Sequence, residues 1–516
     1  MSGLAWLMPV LGLAGIAWAG IKWLRVAQRE HYLAGSVIFI RRVWMVSYPA
    51  NLLEIVLLAV ALVGYFLAPE SLWPVLGVVG MVIFPIGLGY RGRTSALAWT
   101  DRLKRTALLG LVLLVSGALV LAGLGRMLTG GSWAASLTIG LVISWYVLPD
   151  LVLGIAIPIE RRLSQKFVVR AASAIQRVAP EVVGITGSYG KTSTKWYVRD
   201  LVARTKRVVA SPASFNNRLG LARAINENLT DDTQVFIAEM GAYQPGEIAD
   251  TCSWLPPQIA VLTAIGPVHL QRFKSEERIV EAKSEIFEKA EVAILNVDHP
   301  QLAVLAERLG DRKVWRCGTS EQAVDVRVRE EGDLLNILIG DRPLGAPLPV
   351  GPFPANLACA IAVAMELGVS APEIVARVGR LAPARHRQTV GRSEAGFQII
   401  DDTFNSNPAG AAQALQVLAR VGDQGGSRAV VTPGMVELGP HQTAENRRFG
   451  SAASQVADYL VIVGRTNRRA LLQGARTGSA EIVLVKTHPE GVQWVKDHMG
   501  QGDTVLYEND LPDHYP

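Results

Sequence analysis

The residues best placed to do chemistry lie in TGSYGKTST (186–194), which follows the β-branched run Glu181–Ile185 and leads into a helical pattern beginning near Ser193. Strand, glycine loop and helix in that order form a cradle for phosphate. Gly187 and Gly190 let backbone N–H groups approach phosphate oxygens, with Ser188 and Ser193 in the same loop. Lys191 is spaced to reach the β and γ phosphates, and Thr192 to offer its hydroxyl to Mg²⁺. Ile185 stands where the general GxxxxGK[ST] pattern has its first glycine, so this is a shorter TGSxGKT[ST] form. It implies nucleotide phosphate binding and leaves the reaction open.

Other groups follow short apolar runs, where strand ends would present them. Glu239 ends the run Val235–Ala238, a place from which a carboxylate faces the phosphate loop and holds Mg²⁺ through oxygen. His269 follows Ile259–Thr263, Asn296 and Asp298 follow Val292–Leu295, and Asn216 and Asn217 sit in a turn-rich stretch before Gly220. The two asparagines either orient a substrate or phosphate or simply form the turn. Lys283 falls in the helical run Glu276–Ala290, where a lysine is ordinarily a solvated surface residue.

These groups need elements to carry them. At 516 residues the chain suggests roughly three units. Apolar residues crowd into the first 160 positions and acidic ones come later, which predicts a membrane part followed by a soluble part. Five apolar stretches, Leu4–Leu24, Leu52–Leu67, Leu72–Gly89, Ala107–Gly125 and Trp133–Ile157, approach the roughly 20 residues that cross a bilayer as a helix; the second and third are short enough to form a tight hairpin. The first has no basic leader, which argues against a cleaved signal peptide. Arg25, Arg29, Arg41 and Arg42, then Arg91 to Arg105, then Arg161 to Lys166 fall in alternate loops. With five spans that places them all in the cytoplasm of a multi-pass inner-membrane protein, together with everything after about residue 160. Glu54 and Asp150 lie near segment ends, where interfacial snorkelling accounts for them.

The net charge of +6 is concentrated beside apolar segments, which argues for membrane topology over nucleic acid. Cys252, Cys317 and Cys359 lack disulfide or zinc spacing and suit a reducing compartment. After the helical pattern Ala355–Leu367 two short helices are expected, and Pro383 marks a boundary. Beyond it Phe397–Ile400, Arg428–Thr432, Tyr459–Val463, Ile482–Val485 and Thr504–Tyr507 alternate with helical stretches, as in a Rossmann-like parallel sheet.

TGSYGKTSTK (186–195), SFNNRLG (214–220), EMGAYQPGEI (239–248), AIGPVHLQRF (264–273), EAKSEIF (281–287), LNVDHP (295–300) and DDTFNSNP (401–408) occur in the order found in Mur ligases. The chain resembles that family, and within it looks most like the type that adds D-alanyl-D-alanine. The apolar stretches mark a membrane region at 1–165, and the resemblance implies an α/β P-loop central domain at 166–383 and a Rossmann-like C-terminal domain at 384–516. It implies an ATP-dependent carboxylate–amine ligase working through an acyl phosphate, with two Mg²⁺ and a carbamylated lysine at Lys283. His269 would help bind the second Mg²⁺, Asn296 would serve the adenine side, and Arg387 in ARHRQ would reach the γ phosphate. Asp402 would face the ribose, with Asn405 and Asn407 shaping the adjoining loop.

The implied partners are a cell-wall precursor, an amino acid or dipeptide amine, and the lipid bilayer. Other membrane-bound cell-wall enzymes are candidate partners. Two features depart from the family pattern: membrane segments stand where relatives carry a soluble UDP-binding domain, and TPGMVELG (432–439) with the ending ENDLPDHYP replaces the usual amine-site sequence. Poly-γ-glutamate ligases, which also join membrane segments to a Mur-like loop, are the alternative. An ATP-driven transport or regulatory module would need pathway or signature motifs that are not found.

Overall fold

The computed structural model describes residues 5–516 apart from 93, 95, 214, 269, 321–323, 333, 350–352, 382–388, 404, 405, 423 and 424. The chain divides into two compact units. The first holds residues 1–163, the short segment Gly464–Thr466 and the C-terminal Leu511–Pro516; the second holds Ser164–Val463 and Asn467–Asp510.

The first unit is helical: α1 (Leu7–Arg29), α2 (Ser36–Ser47), α3 (Leu53–Leu67), α4 (Trp73–Ile83), α5 (Asp101–Thr129), α6 (Trp133–Val147) and α7 (Pro149–Val178), the last running on into the second unit. Among the described residues three helical segments are long and apolar enough to cross a membrane, α1, Pro49–Leu67 and α5; α6 with α7, bent by 61°, makes a fourth if the pair counts as one. The third stretch expected from sequence contains only the 11-residue α4. At 1.5 Å per residue it is about half of a hydrocarbon core long. It packs against α3 as a hairpin, with Trp73 filling the space that Gly64 leaves by lacking a Cβ.

The basic clusters meet at one end of these helices. Gln28 exchanges hydrogen bonds with Ala98 at 2.7 and 2.9 Å, Arg102 lies 4.1 Å over the Tyr32 ring, and Arg105 pairs with Glu160 at 2.6 and 2.7 Å. The opposite end is tied by Tyr65 to Ser136 and Thr129, with Arg126 over Trp133. Of the two acids near segment ends, Asp150 caps α2 by accepting from Val37 and Ile38 N–H at 3.2 and 2.9 Å. Glu54 does not snorkel: it is 1% exposed, held inside by the helices around it.

The same unit encloses the C-terminus. His514 is fully buried, its Nε2 3.0 Å from Glu30 Oε1, and its carbonyl accepts from the Trp44 indole at 2.9 Å. Asp513 accepts from Thr94 Oγ1 at 2.9 Å and lies 3.9 Å from the Arg25 guanidinium, while Pro516 O accepts from Thr466 Oγ1 at 2.6 Å.

The second unit is built on two sheets. The larger contains β1 (Glu181–Thr186), β2 (Val208–Ala210), β3 (Val235–Glu239), β4 (Ile259–Leu262), β5 (Val292–Asn296), β6 (Lys313–Gly318), β7 (Val326–Glu331), β8 (Leu334–Ile339), β9 (Arg342–Pro343) and β10 (Leu348–Pro349). Its order is β10-β8-β7-β6-β5-β4-β1-β3-β2, with β9 on β8. Strands β1 to β7 pair in parallel, and β3, β4 and β5 are buried throughout, as apolar runs covered on both faces must be. The antiparallel edge from β7 to β10 has no counterpart among the strands expected from sequence.

Helix α8 (Lys191–Val202) follows β1 directly, two residues earlier than its apolar pattern suggests. The helix Pro354–Glu366 is buried from Leu357 to Ala364, as its all-round apolar sequence requires. One helix, Ala371–Val378, follows it among the described residues where two were expected; Pro383 lies outside them.

The second sheet has the order β11 (Thr389–Arg392), β12 (Gln398–Asp402), β16 (Thr504–Glu508), β13 (Arg428–Thr432), β14 (Tyr459–Val463), β15 (Glu481–Val485), parallel except for β11. All five strands read from the sequence are present. The three cysteines are buried free thiols.

Candidate active site

The loop after β1 is shaped by its two glycines. Gly190 takes φ +83°, and a Cβ there would strike the Asn356 amide; Gly187, at φ +152°, would strike the Thr263 hydroxyl. Ser188 fixes the loop from below, its Oγ accepting from Gly266 N–H at 3.1 Å and its N–H donating to Ala264 O at 2.8 Å. The Lys191 ammonium curls back on this cradle, donating to Gly187 O at 2.7 Å. It stands where phosphate would be received.

Glu239, at the end of β3, lies beside the start of α8 and is 2% exposed. Its Oε2 accepts from Thr192 Oγ1 at 3.0 Å and pairs with Lys195 Nζ at 2.9 Å, while Oε1 accepts from Asn216 Nδ2 at 3.2 Å. Burial alone would raise this carboxyl's pKa; Lys195, Lys191 and the hydrogen bonds outweigh burial and hold it below the ordinary value. A carboxylate oxygen beside a threonine hydroxyl and a phosphate cradle is a donor set suited to Mg²⁺, which binds through one or two carboxylates plus substrate phosphates. Among the described residues no cluster of three or more His, Cys, Asp or Glu side chains forms a metal cage. The phosphates would therefore complete the coordination.

Lys283 lies in the last turn of the helix Glu276–Ser284 and is 2% exposed, against the expectation of a solvated surface residue. Burial, then the neighbouring Lys191 cation, push its pKa well below the ordinary lysine value. Asn216 belongs to the Glu239 cluster, but Asn217 does not: it caps the helix Arg218–Asn228, its Oδ1 accepting from Gly220 N–H at 2.9 Å. Turn formation thus explains one of the pair.

A cavity of about 320 Å³ adjoins the loop. Asn296 and Asp402 line it, and so do Gly190, Ser193 and Asn407. Asn296 is locked by donating to Thr263 O at 3.0 Å. Asp298 turns toward Thr319 and Ser320, accepting from both N–H groups at 2.9 to 3.0 Å. Asn407 also caps the helix Pro408–Val421 through Gly410 N–H at 3.0 Å. His269, Arg387 and Asn405 lie outside the described residues.

Four residues join the site without a role expected from sequence. Lys195 lies at the end of the TGSYGKTSTK motif, beyond the phosphate loop itself. Asn356 and His299 line the cavity, the latter edge-on to Tyr189 with its pKa lowered by burial. Glu508 ends β16 and accepts from Thr432 Oγ1 at 2.7 Å and from Ser406. The abrupt change of polarity after the run Thr504–Tyr507 is the sequence signal that points to Glu508; His299 lies three residues past β5 and carries no such mark.

The Mur ligase middle domain matches residues 185–364, and the Mur ligase glutamate ligase domain matches 386–507. A UDP-N-acetylmuramoyl-tripeptide–D-alanyl-D-alanine ligase of Mycobacterium leprae is 32% identical over 371 residues, covering 63% of this chain and 70% of its own length. The chain belongs to the Mur ligase family. A Mycobacterium tuberculosis H37Rv ligase of the same description is 32% identical over 345 residues, covering 63% of this chain and 66% of itself. The crystal structure of MurF ligase from Thermotoga maritima in complex with ADP superposes with TM-score 0.58 at 25% identity, covering 67% of this chain and 80% of that one. As a Mur ligase the chain is an ATP-dependent, ADP-forming amide ligase, and its use of ATP with Mg²⁺ agrees with the loop and with Glu239. Both family matches begin beyond the helical unit.

Proposed function

We propose that this Mur ligase is a membrane-anchored enzyme of peptidoglycan precursor synthesis, its catalytic domains cytoplasmic, joining D-alanyl-D-alanine to a muramoyl-tripeptide. The anchoring is supported by where apolar surface lies. Outside residues 6–169 the only exposed large hydrophobics among the described residues are Leu219, Val304, Leu334, Val390 and Leu484, whereas α3 and α5 present them along most of their lengths and α1 from Leu7 to Trp18. A soluble domain does not carry such a surface uncovered. The amine and the acceptor are supported by the relatives' activity.

In the reaction, the tripeptide carboxylate oxygen attacks the γ phosphorus of ATP, the β–γ bridging bond breaks and ADP leaves. The dipeptide amine then attacks the acyl carbon, inorganic phosphate departs and the amine gives up a proton. Lys191 and the loop N–H groups hold the phosphates, and Glu239 with Thr192 would hold Mg²⁺, whose charge screens the two anions. His269 is proposed at a second metal, Arg387 at the γ phosphate, and Asn405 and Asn407 beside the substrate.

Lys283 is proposed as the carbamylated lysine. Its depressed pKa favours the neutral amine, whose lone pair adds to CO₂ with loss of one proton to give an anionic carbamate. ¹³C-bicarbonate should label the wild-type protein and not Lys283→Met.

The deciding experiment offers the full chain ATP, D-alanyl-D-alanine and either UDP-muramoyl-tripeptide or its lipid-linked form, with glutamate as a competing amine. ADP and a new amide by mass spectrometry are expected with the dipeptide. A product with glutamate alone would replace this reading by poly-γ-glutamate-type ligation. Recovery of the full chain in the soluble fraction of lysed cells would end the anchoring proposal.

A further inference from the structure

Lys195 sits one turn along α8 from Lys191 and is fully buried. Its ammonium is fastened at two points, Glu239 Oε2 at 2.9 Å and Ala213 O at 2.5 Å. The oxygen it holds is the one that also accepts from Thr192, so Lys195 and a metal bound there would share a single carboxylate. A lysine enclosed in this way does not swing aside when a cation arrives.

The charges around this oxygen set the sign of the site before nucleotide arrives. Facing it are Lys195 and Lys191, and Arg199 is within electrostatic reach of Lys195. Glu239 is the carboxylate between them; Glu247, the acid within electrostatic reach of Lys283, accepts from the Tyr243 N–H at 2.7 Å. The Lys195 ammonium cancels the Glu239 charge, and Lys191 stands against the carbamate proposed on Lys283, so the nucleotide-free site offers no net negative charge to a cation, in surroundings where charges are poorly screened. The triphosphate of ATP supplies that charge.

We propose that Lys195 is a positioning residue that denies divalent cations to the free enzyme, so that metal binding at Glu239 is contingent on nucleotide. It fixes the carboxylate toward the phosphate loop while cancelling its charge. Metal and ATP then enter as one complex, and neither an idle metal nor metal-free ATP occupies the site productively. Without the lysine, Glu239 and Thr192 become an ordinary weak cation site.

Titration of the full chain with Mn²⁺, following the free-ion EPR signal, tests this without turnover. Wild type is expected to bind no Mn²⁺ at Glu239 without nucleotide and to bind it with a non-hydrolysable ATP analogue. Lys195→Met is expected to bind at least about tenfold more tightly than wild type without nucleotide, an increment that the added Glu239→Gln change abolishes. Lys195→Arg keeps the charge and should still require nucleotide for Mn²⁺ binding. Lys195→Gln retains an N–H for Ala213 O and Glu239 without the charge, and gives the same reading where the methionine variant loosens the 211–217 segment. In turnover, loss of the charge should make excess free Mg²⁺ inhibitory, lowering kcat more than it raises KM for MgATP. Nucleotide-free wild type binding Mn²⁺ as tightly as Lys195→Gln would overturn the proposal, as would a folded Lys195→Gln that still needs nucleotide.

Discussion

Glu508 and Glu239 are buried carboxyl groups pushed in opposite directions by what surrounds them. Glu239 has two ammonium neighbours; Glu508 has two hydroxyl donors and another acid, Asp402. Burial accordingly lifts Glu508 from 4.5 to about 7. Between those values the unfolded chain has lost a proton that the folded chain keeps, so stability falls as pH rises through the window and levels off above it. Glu508→Gln should flatten that part of the profile, read as melting temperature against pH. For the reaction itself, Lys191→Ala and Glu239→Ala should each reduce ADP formation at least about a thousandfold; near-normal turnover in either would refute the assigned site.

At the scale of elements, the paired asparagines separate two kinds of contribution. Asn217→Ala removes an N-cap and should cost about 1 kcal/mol of stability with kcat little changed. Asn216→Ala leaves the helix capped and removes a hydrogen bond to Glu239, so its effect should fall on kcat. Chemical denaturation and steady-state kinetics on the two variants should give opposite patterns. The same pair shows how far sequence alone reaches. Parallel strands of apolar residues ending in Glu239, Asn296 and Asp402 stand out because strand ends are marked by an abrupt change of polarity. Which of two adjacent amides faces the site depends on where α8 and β3 meet, and no local pattern carries that. Lys195 is hidden from sequence for a related reason: its position on α8 is a surface position until β3 and the Ala213 turn close over it. The β7 to β10 edge is short and interrupted by turns, so it gives no long periodic signal.

For the whole molecule, the five apolar stretches of the sequence become, among the described residues, three helical segments long and apolar enough to cross a membrane, or four if α6 and α7 count as one, because α4 is only 11 residues long. Sequence is silent about residues 511–516, which carry no apolar pattern that would bury them, yet His514 is buried against Glu30 and Trp44. Deleting 511–516 removes both partners' contacts at once and should destabilise the helical unit by on the order of 3 kcal/mol, measured as a lower melting temperature of the truncated chain than of the full-length one. An unchanged melting temperature would show the buried ending to be dispensable.

That enclosure also makes the helical unit depend on a distant stretch of its own chain. Glu30 and His514 are 484 residues apart in sequence and 3.0 Å apart in space, and Arg25 meets Asp513 over a similar separation. Contacts of that separation carry a large loop-closure cost and form slowly, so the helical unit is completed by a long-range closure and not by its consecutive helices alone.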